Sequence, residues 1–187
     1  MLGAKLYRLF FGFEDAPEVM RAKVRALQRH VPLLYTILLV NVAFVSITHF
    51  KSTPLFLSVI APAGVGIFAL LRATSWLKLD PETLSDDEVR ARLKSTIMLV
   101  PALGAVFTIW ALTLFVYGGP YEKAHVTLFI ALTSAACMLC LLHLRAASLH
   151  LALIVTIPFG LMLLQSPQLA SKLMAVNVAV ALGAMVV

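Results

Sequence analysis

Long apolar segments separated by short polar breaks make up most of this chain. Each segment holds 18–21 residues, close to the ~20 apolar residues that a helix needs to cross the hydrocarbon core of a bilayer. The period-two alternation of a transmembrane β-barrel is missing from them. An apolar segment in lipid must satisfy its own backbone hydrogen bonds, so each segment is predicted to be a helix. The six predicted spans are 31–50, 54–71, 97–117, 124–144, 146–164 and 169–187.

The polar pattern outside these spans predicts further helical structure. Residues 1–30 are basic and amphipathic, which predicts a helical lead in the cytoplasm or at the membrane interface. Within this lead, Asp15 followed by Glu18 predicts the capped start of a helix that continues into the first span. Between the second and third spans, the loop 72–96 carries the same capping signature at Ser85. We therefore expect a second helix that begins in this loop and continues into the third span.

Composition and charge define the protein class and the orientation. Hydrophobic residues make up 61% of the chain and charged residues 13%, against about 45–50% and 25% in soluble domains. This leaves no room for a soluble catalytic domain, and because no catalytic motif is present we expect neither an enzyme nor a nucleic-acid-binding protein. Twelve of the 15 lysines and arginines lie before the first span, in the 72–96 loop or at Arg145. The positive-inside rule therefore predicts an all-α membrane protein with six transmembrane helices, both termini in the cytoplasm and an amphipathic N-terminal helix.

Five histidines are the most suggestive polar residues, and the predicted topology sorts them by depth. His49 and His125 fall near the outer face, whereas His30, His143 and His150 fall near the inner face. Two layers of histidines could hold b-type haem, since imidazole is a common axial ligand. However, His30 and His49 at the two ends of the first span are 19 residues apart, and His125 and His143 of the fourth span are 18 residues apart. Each pair is therefore separated by roughly 27–29 Å, nearly the whole thickness of the core. Interfacial histidines without a cofactor are therefore favoured, with haem or metal binding left as an alternative.

Two asparagines lie near the middle of the first and last spans, at Asn41 and Asn177. An amide at that depth is costly unless it is paired, so an interhelical hydrogen bond is predicted, either between these two residues or across a dimer. The alternative is a polar ligand site between the same helices. Apart from Lys172, near the start of the last span, no Asp, Glu, Lys or Arg falls inside a predicted span, which counts against an ion-coupled transporter. We would look for a small hydrophobic ligand near Asn41, Asn177, His49 and His125.

The last predicted span carries small residues at four-residue spacing, at Ala175, Ala179 and Gly183. Such a face allows helices to approach closely, so it predicts either packing inside the protein or a homodimer. The chain ends at Val187 within this apolar segment. This ending favours a polypeptide that continues into a cytoplasmic domain.

Together these features resemble the MASE-like membrane sensor domains at the N-termini of bacterial GGDEF/EAL signalling proteins. The residues that carry the resemblance are the basic lead 21–30, the start of the first span at 31–35, Asn41, and Thr48-His49-Phe50. The resemblance covers most of 15–187. It implies a multi-pass protein of the bacterial inner membrane that dimerises and regulates, in cis, a cytoplasmic domain that makes or degrades cyclic-di-GMP. Neither a GGDEF nor an EAL motif is present in this chain, so no catalytic residue is implied.

Three functional hypotheses follow. The first is a membrane-anchoring sensory domain whose signal is small, lipid-borne or read within the membrane. The second is a small transporter or channel, and the third is a b-type haem or redox protein. The lipid bilayer is the expected partner in all three.

Overall fold

The computed structural model describes residues 16–185, and this part of the chain is helical with no strand. A π-helical turn at Phe56–Ile60 leads directly into the second helix. The helices are α1 (Pro17–His49), α2 (Ala61–Leu77), α3 (Asp86–Tyr117), α4 (Pro120–Cys140), α5 (Arg145–Leu164) and α6 (Leu169–Ala184).

Five of these helices, counting the π-helical turn and α2 as one, are long and apolar enough to cross a membrane. The structure therefore confirms an all-α protein with the character of a multi-pass membrane protein. The sixth helix, α6, is apolar but has only 16 residues, or roughly 24 Å, which is less than the ~30 Å of a hydrocarbon core. The prediction of six full spans is thus matched by five long helices and one shorter one.

The start of α1 differs slightly from the predicted capped start. The N-cap is Ala16, one residue after the predicted cap Asp15, which itself lies outside the described residues. The reason is Pro17, whose fixed φ suits the first helical position and which keeps the preceding residue extended. The basic lead then continues without a break into the first predicted span. The amphipathic pattern over 1–15 lies outside the described residues.

The start of α3 confirms the second capping signature. The Ser85 hydroxyl accepts a hydrogen bond from the Glu88 backbone N–H, and the Glu88 carboxylate accepts one from the Ser85 backbone N–H at 2.8 Å. Hydrogen bonds from the Ser85 backbone and then from its side chain lower the pKa of Glu88. Because its first turn is capped in this way, α3 begins well before its apolar segment.

The polar first turns of α1 and α3 pack against each other and form an extension beyond the apolar bundle. On α1, the side chains of Met20, Val24 and Leu27 are fully buried. Arg21 forms an ion pair of 2.7 Å with Asp86 at the start of α3. The ion pair Arg25–Glu82 and a hydrogen bond from Gln28 to the Leu79 carbonyl hold the intervening loop against α1.

The helices α1, α3, α4 and α5 form the centre of the bundle, α2 packs against α1, and α6 packs against α5. Most large side chains of α2 are exposed, among them Ile67, Leu70 and Leu71. Consecutive helices are joined by short connections, so they run antiparallel. We call the end at which α1 begins the N-terminal end of the bundle. It also contains the end of α2, the end of α4 and the start of α5.

Candidate functional site

A cavity lies inside the bundle, between the four central helices and α2. Its cavity volume is about 90 Å³, several times the ~10–15 Å³ that a single water needs. Most of its walls are aliphatic or aromatic, and each central helix contributes to them. Representative wall residues are Leu38 on α1, Phe107 on α3, Phe129 on α4 and Val155 on α5.

The cavity is long and narrow because its walls follow the helix axes. On α3 its lining extends from Thr96 to Thr108, a rise of roughly 18 Å. Towards the N-terminal end of the bundle it is lined by Val31, Trp76 and Leu141. Towards the middle of the bundle its lining includes the aromatic side chains of Phe107 on α3 and Phe129 on α4.

Arg72 is the single charged residue among those that line the cavity. Its guanidinium lies beside the phenol of Tyr35, which is itself buried in α1. The Arg72 Nε atom is buried and has no hydrogen-bond partner in residues 16–185. Trp76, one turn further along α2, lines the same wall. The cavity therefore combines a long apolar compartment with one cationic position near its N-terminal end.

Arg72 is a site residue that the hydropathy pattern does not predict. The predicted second span ends at Leu71 with the apolar run, which places Arg72 in the loop 72–96. The helix instead continues to Leu77. The sequence does contain a signal that this helix continues past Leu71. Arg72 and Trp76 are four residues apart, which places them on one helix face, and no helix breaker precedes Asp80-Pro81.

Asn41 forms the predicted interhelical hydrogen bond, but its partner is not Asn177. Its amide donates a hydrogen bond of 3.0 Å to the Thr133 hydroxyl of α4, and Thr133 also lines the cavity. Asn177 is exposed on α6. A hydrogen bond between the two asparagines is therefore wrong, since α6 packs mainly against α5 while Asn41 faces α4.

The histidines His49 and His125 come together at the opposite end of the bundle. The Thr48 hydroxyl lies 3.2 Å from His49 Nδ1 and 3.0 Å from His125 Nδ1, and so bridges the two rings. His49 is fully buried, and its Nε2 has no hydrogen-bond partner in the described part of the chain. This nitrogen faces Gly118, where an added Cβ would lie only 3.2 Å away.

The histidines His30 and His143 meet at the N-terminal end, with nearly parallel rings whose centroids are 6.0 Å apart. His150 lies in the second turn of α5, which starts at the same end. The structure thus sorts all five histidines by end of the bundle as predicted. Within residues 16–185 no group of three or more His, Cys, Asp or Glu side chains is placed to hold a metal ion.

The small residues of α6 do not share one environment. Ala175 is buried against the bundle, whereas Ala179 and Gly183 are exposed. A Cβ built at Gly183 meets no atom within 4 Å. Ala175 therefore contributes to packing inside the protein, whereas Ala179 and Gly183 lie on the open outer side of α6.

Comparisons with protein-family models, curated proteins and solved structures found no match to this chain. The resemblance to membrane sensor domains stays a prediction.

Proposed function

We propose that this chain is a membrane-embedded sensory module that binds a small hydrophobic ligand in the cavity of its bundle. The cavity is the observation that carries the proposal, because its apolar walls and its few polar groups have the features of a ligand site. A packed helical bundle with no ligand to hold would ordinarily close such a space.

The long helices offer a route from the cavity to a partner. Tyr35 on α1 and Thr96 on α3 line the cavity. The same two helices continue without a break into the paired extension held by Arg21 and Asp86. A ligand that favours one arrangement of the cavity walls would shift the population of arrangements in the extension. Under the predicted topology this extension is cytoplasmic, where an output domain in cis would respond to it. The link to a cyclic-di-GMP enzyme rests on the resemblance alone.

Photolabelling tests whether the cavity binds a ligand. A long-chain alcohol that carries a photoreactive diazirine is added to the purified chain in nanodiscs, and labelled peptides are mapped by mass spectrometry. We expect labelling that saturates and is displaced by excess dodecanol at the cavity walls near Leu103 and Phe129. At lipid-facing positions the labelling should rise without saturation.

A pair of variants on α4 provides the control. Ser134 is buried and lines the cavity, so Ser134→Phe should fill it and abolish the saturable labelling. Leu132 is exposed on the same helix, so Leu132→Phe should leave that labelling unchanged. If no cavity peptide is labelled saturably, or if Ser134→Phe has no effect, ligand binding in the cavity is refuted.

Amide hydrogen exchange tests the sensory part of the proposal. We expect dodecanol to change exchange at residues 17–28 and 82–94 in the wild type and to have no effect there in Ser134→Phe. Saturable labelling with unchanged exchange in the extension would remove the sensory role and favour the transporter hypothesis. That hypothesis would then be tested by uptake into liposomes.

Dimerisation through α6 belongs to the same proposal. It is supported by the exposed small residues Ala179 and Gly183, and separately by the exposed amide of Asn177 on another side of this helix. An unpaired amide facing lipid gains a hydrogen bond when it meets a second copy. We expect single-molecule photobleaching in nanodiscs to detect two copies for the wild type and one for Asn177→Leu. A monomeric wild type would refute the dimer.

A further inference from the structure

The charge inside the cavity says more about the ligand than its volume does. Arg72 brings a permanent positive charge to the cavity wall, and no carboxylate lines that wall. The ion pairs of the described residues include Arg21–Asp86 and Arg25–Glu82, and none of those shown involves Arg72. The phenol of Tyr35 lies beside the Arg72 guanidinium. Arg72 is partly buried, and a charge withdrawn from water is costly unless an opposite charge or enough hydrogen-bond acceptors accompany it.

We propose that the cavity holds a single-chain amphiphile with an anionic head group, which binds at Arg72 and Tyr35 while its apolar tail fills the compartment between α3 and α4. This inference rests on the proposed function. It assigns to the cavity a class of ligand, with carboxylate and phosphate head groups as its two forms.

The chemistry of the two side chains favours an anion. The planar guanidinium of Arg72 presents several N–H donors in a fixed fork that fits the oxygens of a carboxylate or phosphate. The buried Nε–H is one of these donors and has no acceptor in the described part of the chain. The hydroxyl of Tyr35 supplies a further donor. A neutral alcohol could satisfy one of these groups, but it could not neutralise the charge.

The position of the cation fits an amphiphile. Arg72 lies near the N-terminal end of the cavity, since Trp76, one turn further along the same helix, lines that end. The remaining walls, which include Phe107, Phe129 and Val155, are apolar along the length of the compartment. A head group at Arg72 would therefore lie near the end of the bundle, and the tail would extend towards its middle.

Competition against the photoreactive alcohol tests this inference in neutral phosphatidylcholine nanodiscs. Laurate, dodecyl phosphate and dodecanol have the same chain length, and their concentrations are expressed as mole fractions in the bilayer. For the wild type we expect the two anions to halve the cavity labelling at roughly one tenth of the dodecanol mole fraction or less, as charge-assisted hydrogen bonds require. A difference between laurate and dodecyl phosphate would identify which anionic head group the site prefers.

Two variants of Arg72 and one control variant test whether the preference for anionic head groups depends on Arg72. Arg72→Gln should raise the half-effective mole fractions of both anions to that of dodecanol and leave dodecanol unchanged. Lys78→Gln removes the same charge from the exposed end of α2 and should preserve the preference. If Arg72→Gln does not fold, Arg72→Lys decides, because it keeps the charge but loses the fork and should weaken the preference several-fold. An unchanged preference in the arginine variant that folds would overturn the assignment to Arg72.

Failure of this inference differs from failure of the proposed function. If all three compounds compete equally in the wild type and Ser134→Phe blocks all of them, the cavity binds ligands without regard to charge and the anionic head group is refuted. If none of the three competes, the cavity is no ligand site and both proposals fail.

Discussion

The contact between Trp110 and the π-helical turn should be worth measurable stability. The Trp110 Nε1–H donates a hydrogen bond of 2.9 Å to the Leu57 carbonyl. In a π-helical pattern that carbonyl would pair with the N–H five residues later, which is the position of Pro62, and proline has no N–H. The indole therefore replaces a backbone donor that the sequence lacks. The substitution Trp110→Phe removes this donor while keeping an aromatic ring between Phe107 and Phe129, on which Trp110 now packs edge to face.

The expected loss of stability has two parts. Leaving a buried carbonyl unpaired costs about 1–3 kcal/mol, and hydrogen bonds between membrane helices average about 0.6 kcal/mol with a maximum near 1.7. We therefore expect the lost hydrogen bond to cost about 1 kcal/mol. The smaller ring leaves a void, which adds about 1 kcal/mol. The sum for Trp110→Phe is about 2 kcal/mol in the free energy of unfolding.

A double-mutant cycle separates these two parts. Pro62→Ala restores an N–H that can pair with the Leu57 carbonyl, so in that background Trp110→Phe should cost only the packing part. Reversible unfolding in mixed micelles, monitored by circular dichroism, gives the four free energies. A coupling of about 1 kcal/mol is expected for groups in direct contact. If Trp110→Phe costs the same in both backgrounds, the indole does not substitute for a missing backbone donor.

Three further predictions concern single contacts. Thr133→Val removes the acceptor of the Asn41 amide and should lower the free energy of unfolding by about 0.6–2 kcal/mol in the same assay, whereas an unchanged value would mean that Asn41 finds another partner. Ser85→Ala should cost about 1 kcal/mol and raise the pKa of Glu88 towards its ordinary value in an NMR titration, because one of its donors is lost. Since the folded-state pKa of Glu88 is lowered, its stabilisation is present above the ordinary carboxyl pKa and is lost as the pH falls through the lowered value. Gly118→Ala should destabilise by about 1–3 kcal/mol, since its Cβ would come within 2.9 Å of the next turn, and a neutral result would show that this end of the bundle adjusts.

The sequence predicted those features that depend on local pattern. The length of each apolar run was enough to place the helices, and the serine at position 85 identified the start of α3 because a capping box uses only nearby atoms. The alternation of spans also sorted the histidines by end, as the contacts of His125 with Thr48 and of His30 with His143 confirm. No long-range information was required for any of these.

The candidate site could not be predicted in the same way, because it depends on where helices end and which faces meet. Hydropathy ended the second span at Leu71, whereas the helix continues to Leu77 and carries Arg72 onto the cavity wall. The partner of Asn41 depended on whether α1 faces α4 or α6, a choice that the apolar pattern does not encode. The π-helical turn depended on Pro62 and on a donor from a helix 53 residues away.

The position of Arg72 connects the cavity with the extension through a short length of chain. It lies on α2, which packs mainly against α1 and is more exposed than the central helices. Only a few residues separate it from the loop whose Leu79 carbonyl accepts a hydrogen bond from Gln28 of α1. The same loop continues to Asp86, which pairs with Arg21. Under the proposed function, a change in the position of Arg72 relative to Tyr35 would act on two successive contacts with α1, one from the loop and one from the start of α3. The peripheral helix would then offer a second route from the cavity to the extension, beside the continuous helices α1 and α3.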